Sequence, residues 1–221
     1  MDDGRALTHA QARRFYDRVG RAQDTQAFYE RQAVARLCAH AELDRAAHVV
    51  ELGCGTGKLA ADLLASWLPS SARYSGFDVS GTMVNVAQER TARFGGRAQV
   101  VQTDGSPPLP LESGCADRFL ATYVFDLLSV EDIDAMLLEA HRLLVPGGLV
   151  GIAGLTPGES GAARWVSALW SRVYRWRPGL TGGCRPLRLR DVLGPPRWEP
   201  RFETVVSAFG VASEVVVAAR R

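Results

Sequence analysis

The run Val49-Val50-Glu51-Leu52-Gly53-Cys54-Gly55-Thr56-Gly57-Lys58 carries the densest chemical signal in the chain. Apolar residues lead into three glycines at alternate positions, and helical spacing begins at Lys58. Glycine removes side chains where backbone must approach a ligand closely, and a helix start offers free N–H groups, so a flat, polar ligand is expected there. Two more carboxylates follow apolar runs: Asp78 in Gly76-Phe77-Asp78-Val79-Ser80, and Asp104 in Gln102-Thr103-Asp104-Gly105-Ser106. A carboxylate at a strand tip can accept hydrogen bonds from both hydroxyls of a ribose. A helix cap is the plainer role for Asp78, although Ser80 is better placed for it; for Asp104 the plainer role is that of a turn aspartate. Thr122-Tyr123-Val124-Phe125-Asp126 ends another apolar run, and Asp126 there is the candidate general base, with Tyr123 beside it. Its plainer role is a loop cap or salt-bridge partner.

These residues need parallel strands to bring them to one edge. Strands are expected at His48–Leu52, Arg73–Phe77, Ala98–Gln102, Arg118–Tyr123 and Leu149–Ala153. Helical patterns are expected at Lys58–Trp67, Gly81–Phe94 and Ile133–Leu144, and one helical stretch runs from Tyr16 to Ala41. Such alternation implies a parallel sheet with crossover helices on both faces. Pro146, Gly147 and Gly148 should stop the helix that ends at Leu144. Strands at Phe202–Phe209 and Ser213–Ala219 lie only three residues apart, so they must form an antiparallel hairpin.

The chain has 221 residues, 47% hydrophobic and 23% charged, which suits one globular domain spanning 1–221. A formal net charge of +2 gives no reason to expect nucleic acid as a partner. Cys38, Cys54, Cys115 and Cys184 are scattered without a CxxC pair, so neither a metal site nor a disulfide framework is expected. No apolar run reaches membrane-spanning length and the N-terminus is polar, so a cytoplasmic location is expected.

A dinucleotide-binding GxGxxG turn would place its third glycine where this chain has Lys58. The GxGxG spacing of Gly53, Gly55 and Gly57, with Glu51 two positions ahead, instead resembles the first motif of the class I S-adenosylmethionine-dependent methyltransferases. The segments around Asp78 and Asp104 resemble the family too, as does Leu143-Leu144-Val145-Pro146-Gly147-Gly148, and the likeness spans Val49 to Ala153. Phe15-Tyr16-Asp17 resembles the pair that opens relatives of the quinone C-methyltransferases and helps close the donor site.

The resemblance implies a Rossmann-like, doubly wound α/β/α fold of seven strands in the order 3-2-1-4-5-7-6, with a C-terminal antiparallel hairpin. It implies S-adenosyl-L-methionine as cofactor, held by Tyr16, Glu51, Gly53, Cys54, Gly55, Gly57, Asp78, Val79, Met83, Asp104, Gly105 and Thr122. Asp104 would accept from the adenine amine, and the Gly105 N–H would donate to a ring nitrogen. Residues 1–45 would form a helical lid, and 155–198 an insert over the acceptor site. Within that insert, Trp165, Trp170, Tyr174 and Trp176 alternate with Arg164, Arg172, Arg175 and Arg177 on an expected helix from Ala162 to Trp176. That texture suits a roof over the acceptor, in which Cys184, Arg185 and Pro186 would share, and it also suits peripheral contact with an anionic membrane surface. The Asn/Asp-Pro-Pro-Tyr sequence of methyltransferases that act on base amines or glutamine is absent, and a histidine pair of the quinone enzymes is replaced by Asp126 and Leu127. A small-molecule acceptor is therefore expected. Two rivals stay open at this point: a binder of the same cofactor that transfers no methyl group, and an NAD(P)-dependent oxidoreductase.

Overall fold

The computed structural model describes residues 7–20, 23–24, 27–158 and 184–221. Seven strands form a single sheet in the order β3-β2-β1-β4-β5-β7-β6. These are β1 (His48–Leu52), β2 (Arg73–Asp78), β3 (Ala98–Gln102), β4 (Ala116–Thr122), β5 (Leu144–Leu155), β6 (Trp198–Ala208) and β7 (Val211–Arg220). The first five run parallel, and β7 enters antiparallel between β5 and β6. The strand tips at Leu52, Asp78, Gln102 and Thr122 therefore share one edge, where β1 gives way to β4 and the chain reverses its winding; a ligand crevice opens at such a point.

The sheet is apolar on both faces because each face is covered. In β4, Leu120 packs with Leu37, Leu63, Tyr74 and Val215, while Phe119 and Ala121 point the other way, toward Phe125, Ile133, Leu143 and Trp198. The first face is covered by α2 (Ala27–His40), α3 (Lys58–Asp62) and α4 (Gly81–Thr91), the second by α5 (Val130–Leu143). Strands buried on both faces read as continuous hydrophobic runs, which is why Val49-Val50 and Val215-Val216-Val217 show no polar alternation.

Several boundaries differ from the pattern in the sequence. The stretch Tyr16–Ala41 is not one helix: α1 (His9–Val19) ends at Gly20, whose φ of 48° leaves helical space, and α2 begins at Ala27. The expected helix Lys58–Trp67 is α3 followed by one wider π-type turn, Leu63–Trp67. At the end of α5, Leu144 already has extended backbone and pairs with Ala116, so β5 starts before the Pro146-Gly147-Gly148 turn. The expected helix Ala162–Trp176 lies outside the described residues. The later part of the 155–198 segment belongs to the core: Leu187, Leu189 and Leu193 are buried, and the Leu187 N–H donates to the Leu155 carbonyl at 2.7 Å.

Side-chain caps fix the helix starts. Thr8 and Gln11 form a reciprocal capping box on α1, Ser80 accepts from the Met83 N–H at 3.1 Å, and Ser129 accepts from the Asp132 N–H at 3.0 Å. The end of α2 is tied to the sheet by Arg118 of β4. Its guanidinium donates to the carbonyls of Ala41 at 2.6 Å and Glu42 at 2.8 Å, filling acceptors that a helix end leaves open. Arg118→Ala should strand these carbonyls and lower stability by about 2–4 kcal/mol, read as a lower melting midpoint with the fold's circular dichroism retained.

Candidate active site

At the shared edge of the strands lies a cavity of about 540 Å³. The loop Gly53–Gly57 forms its floor, and the three glycines serve different purposes there. All have positive φ, but a side chain at Gly53 would strike Val124, and one at Gly57 would meet the Ala87 backbone at 2.8 Å. Nothing lies within 4 Å of the Cβ direction of Gly55, which borders the cavity. Gly53 and Gly57 are thus small for packing, and Gly55 leaves room for a ligand. Gly57, expected among the cofactor residues, is not among those that border the cavity, and its lack of a side chain serves close approach between this loop and α4.

Two carboxylates stand at adjacent strand tips, and each is held by the protein itself. The oxygens of Asp78 accept from the Gly55 N–H and the Ser80 N–H, both at 2.9 Å, so Asp78 clamps the glycine loop to the start of α4. The cap of α4 is Ser80, as its position in the sequence suggested. Glu51 accepts from the Tyr74 hydroxyl at 2.6 Å, and the ring of Tyr74 reaches it by lying over Gly76, where a Cβ would be 2.7 Å from the hydroxyl oxygen. Burial pushes the Glu51 carboxyl up to about 7, against the lowering effect of the Tyr74 bond and with Asp78 adding repulsion. Burial also raises Asp78, which its N–H partners partly offset. Two acids of like charge, one buried and one half-buried, are relieved by a cation between them.

Of the other expected cofactor residues, Tyr16, Cys54, Val79, Met83, Gly105 and Thr122 line the cavity. Gly105 is packed between Val79 and His9, its N–H donates to the Thr103 hydroxyl at 3.4 Å, and Leu127, Leu128 and Met136 also border the cavity. Asp104 is exposed, does not line the cavity, and accepts from the Ser106 N–H at 2.9 Å. It is a turn aspartate here.

The N-terminal segment is tied down at two places. Asp17 of α1 accepts from the Ser80 hydroxyl at 2.6 Å and the Thr82 N–H at 3.3 Å. Asp24 accepts from the Thr56 hydroxyl at 2.6 Å and pairs with Arg90 at 2.8 Å, and Arg90 also donates to Thr56. Both ties end on the loop or helix that Asp78 clamps. Tyr16 was the residue expected to close the site; Asp24, Thr56 and Arg90 carried no signal in the sequence, because their partners lie tens of residues away.

At the tip of β4, Tyr123 takes a φ of 55°, strained for a side chain of its size, and lines the cavity while its hydroxyl donates to Ser213 at 2.8 Å. Asp126 is fully buried and does not line the cavity. Its Oδ2 accepts from the Leu155 N–H at 2.9 Å, its other oxygen has no hydrogen-bond partner, and it packs against Gly154. Burial pushes it up to about 7. The carboxyl expected to serve as general base thus lies behind the wall, where it anchors the loop to β5. Of the expected roof residues, Trp165, Trp170, Tyr174 and Trp176 lie outside the described residues, while the Arg185 backbone N–H and guanidinium donate to the Asp126 and Leu128 carbonyls. Glu30, half-buried at the start of α2, also lines the cavity and carried no recognisable motif in the sequence.

A sheet of this order with a clamped glycine loop and acidic strand tips defines an α/β cofactor-binding domain that takes a cationic nucleoside. Residues 49–148 match the methyltransferase domain family. Curated relatives are a malonyl-[acyl-carrier protein] O-methyltransferase of Erwinia pyrifoliae, 28% identical over 74% of this chain and 57% of its own length, and a trans-aconitate 2-methyltransferase of Paracidovorax citrulli, 34% identical over 52% and 42%. A ubiquinone/menaquinone biosynthesis C-methyltransferase of Rhizobium johnstonii is 26% identical over 62% of this chain and 54% of its own. The chain thus spans about half the length of the curated relatives it matches. Among solved structures, the [4+2]-cyclase SpnF superposes with a TM-score of 0.75 at 18% identity, covering 97% of both chains. A geranyl diphosphate methyltransferase in complex with GPP and sinefungin gives 0.71 at 13%, over 96% of this chain and 99% of its own. The fold, the glycine motif and these matches together support a class I S-adenosylmethionine-dependent methyltransferase, with S-adenosylmethionine as its cofactor. The oxidoreductase alternative falls with the Lys58 turn, the antiparallel β7 and this family match.

The site fits that cofactor. The cavity has a floor without side chains at Gly55, a buried and a half-buried acid for positive charge, and apolar side chains at Val79 and Leu128 for a flat ring. Because folded Glu51 holds its proton up to about 7, above the ordinary carboxylate value of 4.5, its contribution to stability falls as pH rises through that window. Glu51→Gln should therefore gain stability relative to the natural chain between about pH 5 and pH 8 in denaturant titrations. Over the same range S-adenosylmethionine should bind the natural chain more tightly as Glu51 ionises, and the variant should lose that dependence in calorimetry.

Proposed function

We propose that this protein binds S-adenosylmethionine across Glu51, Gly55, Asp78 and Gly105 and transfers its methyl group to a small-molecule acceptor. The observation that carries the reading is one cavity, of about 540 Å³, that runs from the clamped glycine loop to Tyr16, Glu30 and Tyr123. Volumes of roughly 300–1,000 Å³ are those of small-molecule sites. The bound cofactor supplies a methyl carbon already activated by positive sulfur. The chain's own residues bind, orient and exclude water. Asp78 keeps a free lone pair on each oxygen for ribose hydroxyls after accepting from Gly55 and Ser80. Glu51 provides negative charge, Val79 and Leu128 offer apolar surface to the ring, and Tyr16 and Tyr123 shape the acceptor side. In-line displacement needs positioning above all, so most of the acceleration comes from holding two reactants in a dry, oriented contact.

The chain has no described helix long and apolar enough to cross a membrane. A soluble acceptor in a cytoplasmic setting is part of the same proposal.

A second reading has one observation in its favour: the solved structure with a TM-score of 0.75 bears the name of a cyclase, so this scaffold alone does not require methyl transfer. Incubation with labelled S-adenosylmethionine and a pool of small metabolites separates the two. Labelled product together with S-adenosylhomocysteine is expected; cofactor binding without either product, across varied pools, would favour the second reading. Asp78→Ala should weaken S-adenosylhomocysteine binding about ten- to hundredfold in calorimetry, as befits loss of a half-buried charged acceptor. Asp24→Ala, which frees the lid connection while leaving the floor intact, should instead raise the dissociation rate of S-adenosylhomocysteine, measured by stopped-flow displacement.

A further inference from the structure

We infer that the acceptor is an amine that carries positive charge, recognised by aromatic faces and carboxylates at the α2 end of the cavity; this rests on the methyl-transfer reading above. The wall there consists of Tyr16, Tyr123 and Glu30. Tyr29 stands against Tyr123 with ring centroids 5.7 Å apart at 86°, and its hydroxyl favours the ionised Glu30 carboxyl beside it against the effect of burial. Asp126 lies behind the wall within electrostatic reach of Tyr16, Tyr29, Tyr123 and Glu30. Ring faces with an ordered carboxylate form the arrangement that takes up an ammonium group.

The charge balance points the same way. Among the described residues, five carboxylates border the cavity, at Asp24, Glu30, Glu51, Asp62 and Asp78, against the cations Arg31 and Lys58. Asp24 is already paired with Arg90. The cofactor's positive charge answers Glu51 and Asp78 at the glycine-loop end, while Arg31 and Lys58 are exposed, where water weakens their reach. Negative potential is left over beside Glu30, where an anionic acceptor would be repelled and a cationic one drawn in. Burial raises Glu30 above its ordinary value, as expected for an acid that waits for a cation.

The transfer balances without another reactant. The nitrogen lone pair forms the new bond to the methyl carbon while the carbon–sulfur bond breaks and leaves its electron pair on sulfur, so positive charge passes from sulfur to nitrogen. Because the acceptor enters as an ammonium ion, it first gives up one proton, which Glu30 in the wall takes and passes to solvent, so that the nitrogen has its lone pair before the methyl group is transferred. An amine, unlike an amide, has an available lone pair once neutral, so no activating group beyond this proton acceptor is needed.

The test uses the whole chain, saturated with S-adenosylhomocysteine, and two probes of equal shape: choline and its uncharged carbon isostere, dimethylbutanol. Calorimetry should show choline bound at least about tenfold more tightly, and Glu30→Gln should remove most of that preference while leaving the affinity for S-adenosylhomocysteine unchanged. Tyr29→Phe keeps the ring and should retain more of the preference than Tyr29→Leu. In turnover with labelled cofactor, size-matched amines should be methylated ahead of phenols and carboxylic acids. Equal binding of the two probes, or product from phenols or acids alone, would overturn the amine inference and leave methyl transfer standing. Absence of heat with S-adenosylhomocysteine would instead overturn both.

Discussion

Asp78 reaches from the tip of β2 to the loop that follows β1, and its two oxygens take the N–H groups of Gly55 and Ser80. Through that one side chain the glycine loop, the second strand and the start of α4 become a single rigid corner. Ser80 then holds Asp17 of α1, and Thr56 in the same loop holds Asp24. The N-terminal segment is therefore attached to the corner at Asp17 and Asp24, while Arg118 ties the end of α2 to the sheet. If the corner loosens, the floor of the cavity and its cover loosen together, which couples cofactor contact to closure through hydrogen bonds a few residues long.

The corner also concentrates charge. Glu51 is buried and Asp78 half-buried, and burial disfavours the ionised state of each. Without a cation the pair is frustrated; with positive sulfur and an ammonium nearby, desolvation becomes an advantage, because attraction is stronger where water is excluded. A neutral or anionic nucleotide would gain nothing from this arrangement. The same logic separates the site from a pyrophosphate cradle, which offers N–H groups and avoids carboxylates.

Much of this was legible in the sequence. The glycine spacing, the apolar runs and the short hairpin link sufficed for the class of fold, and the resemblance supplied the strand order that the sheet adopts. What stayed hidden depends on distance in sequence or on geometry finer than residue type. Gly57 reads as a ligand-facing glycine until its Cβ direction is seen to point into Ala87. Asp126 reads as a base beside the acceptor, yet its carboxyl turns inward to Leu155, 29 residues on. Asp104 and Gly105 are neighbours, but only the glycine borders the cavity. The break at Gly20 was masked by helical spacing on either side of it. Glu30 has no motif at all, since its meaning comes from Tyr29 and Tyr123, and one of those lies on another layer of the fold.

Tyr74 lies over Gly76 to reach Glu51, and residue 76 pairs across the sheet with residue 51. These positions form one evolutionary unit. A side chain introduced at 76 would lift the phenol away and orphan the acid, and losing the phenol first would leave the acid without a donor while the glycine became an unfilled gap. Descendants can thus exchange the three together, or replace the acid first, but stepwise drift through either of the other two passes through a chain with an unsatisfied carboxyl at the centre of its cofactor site.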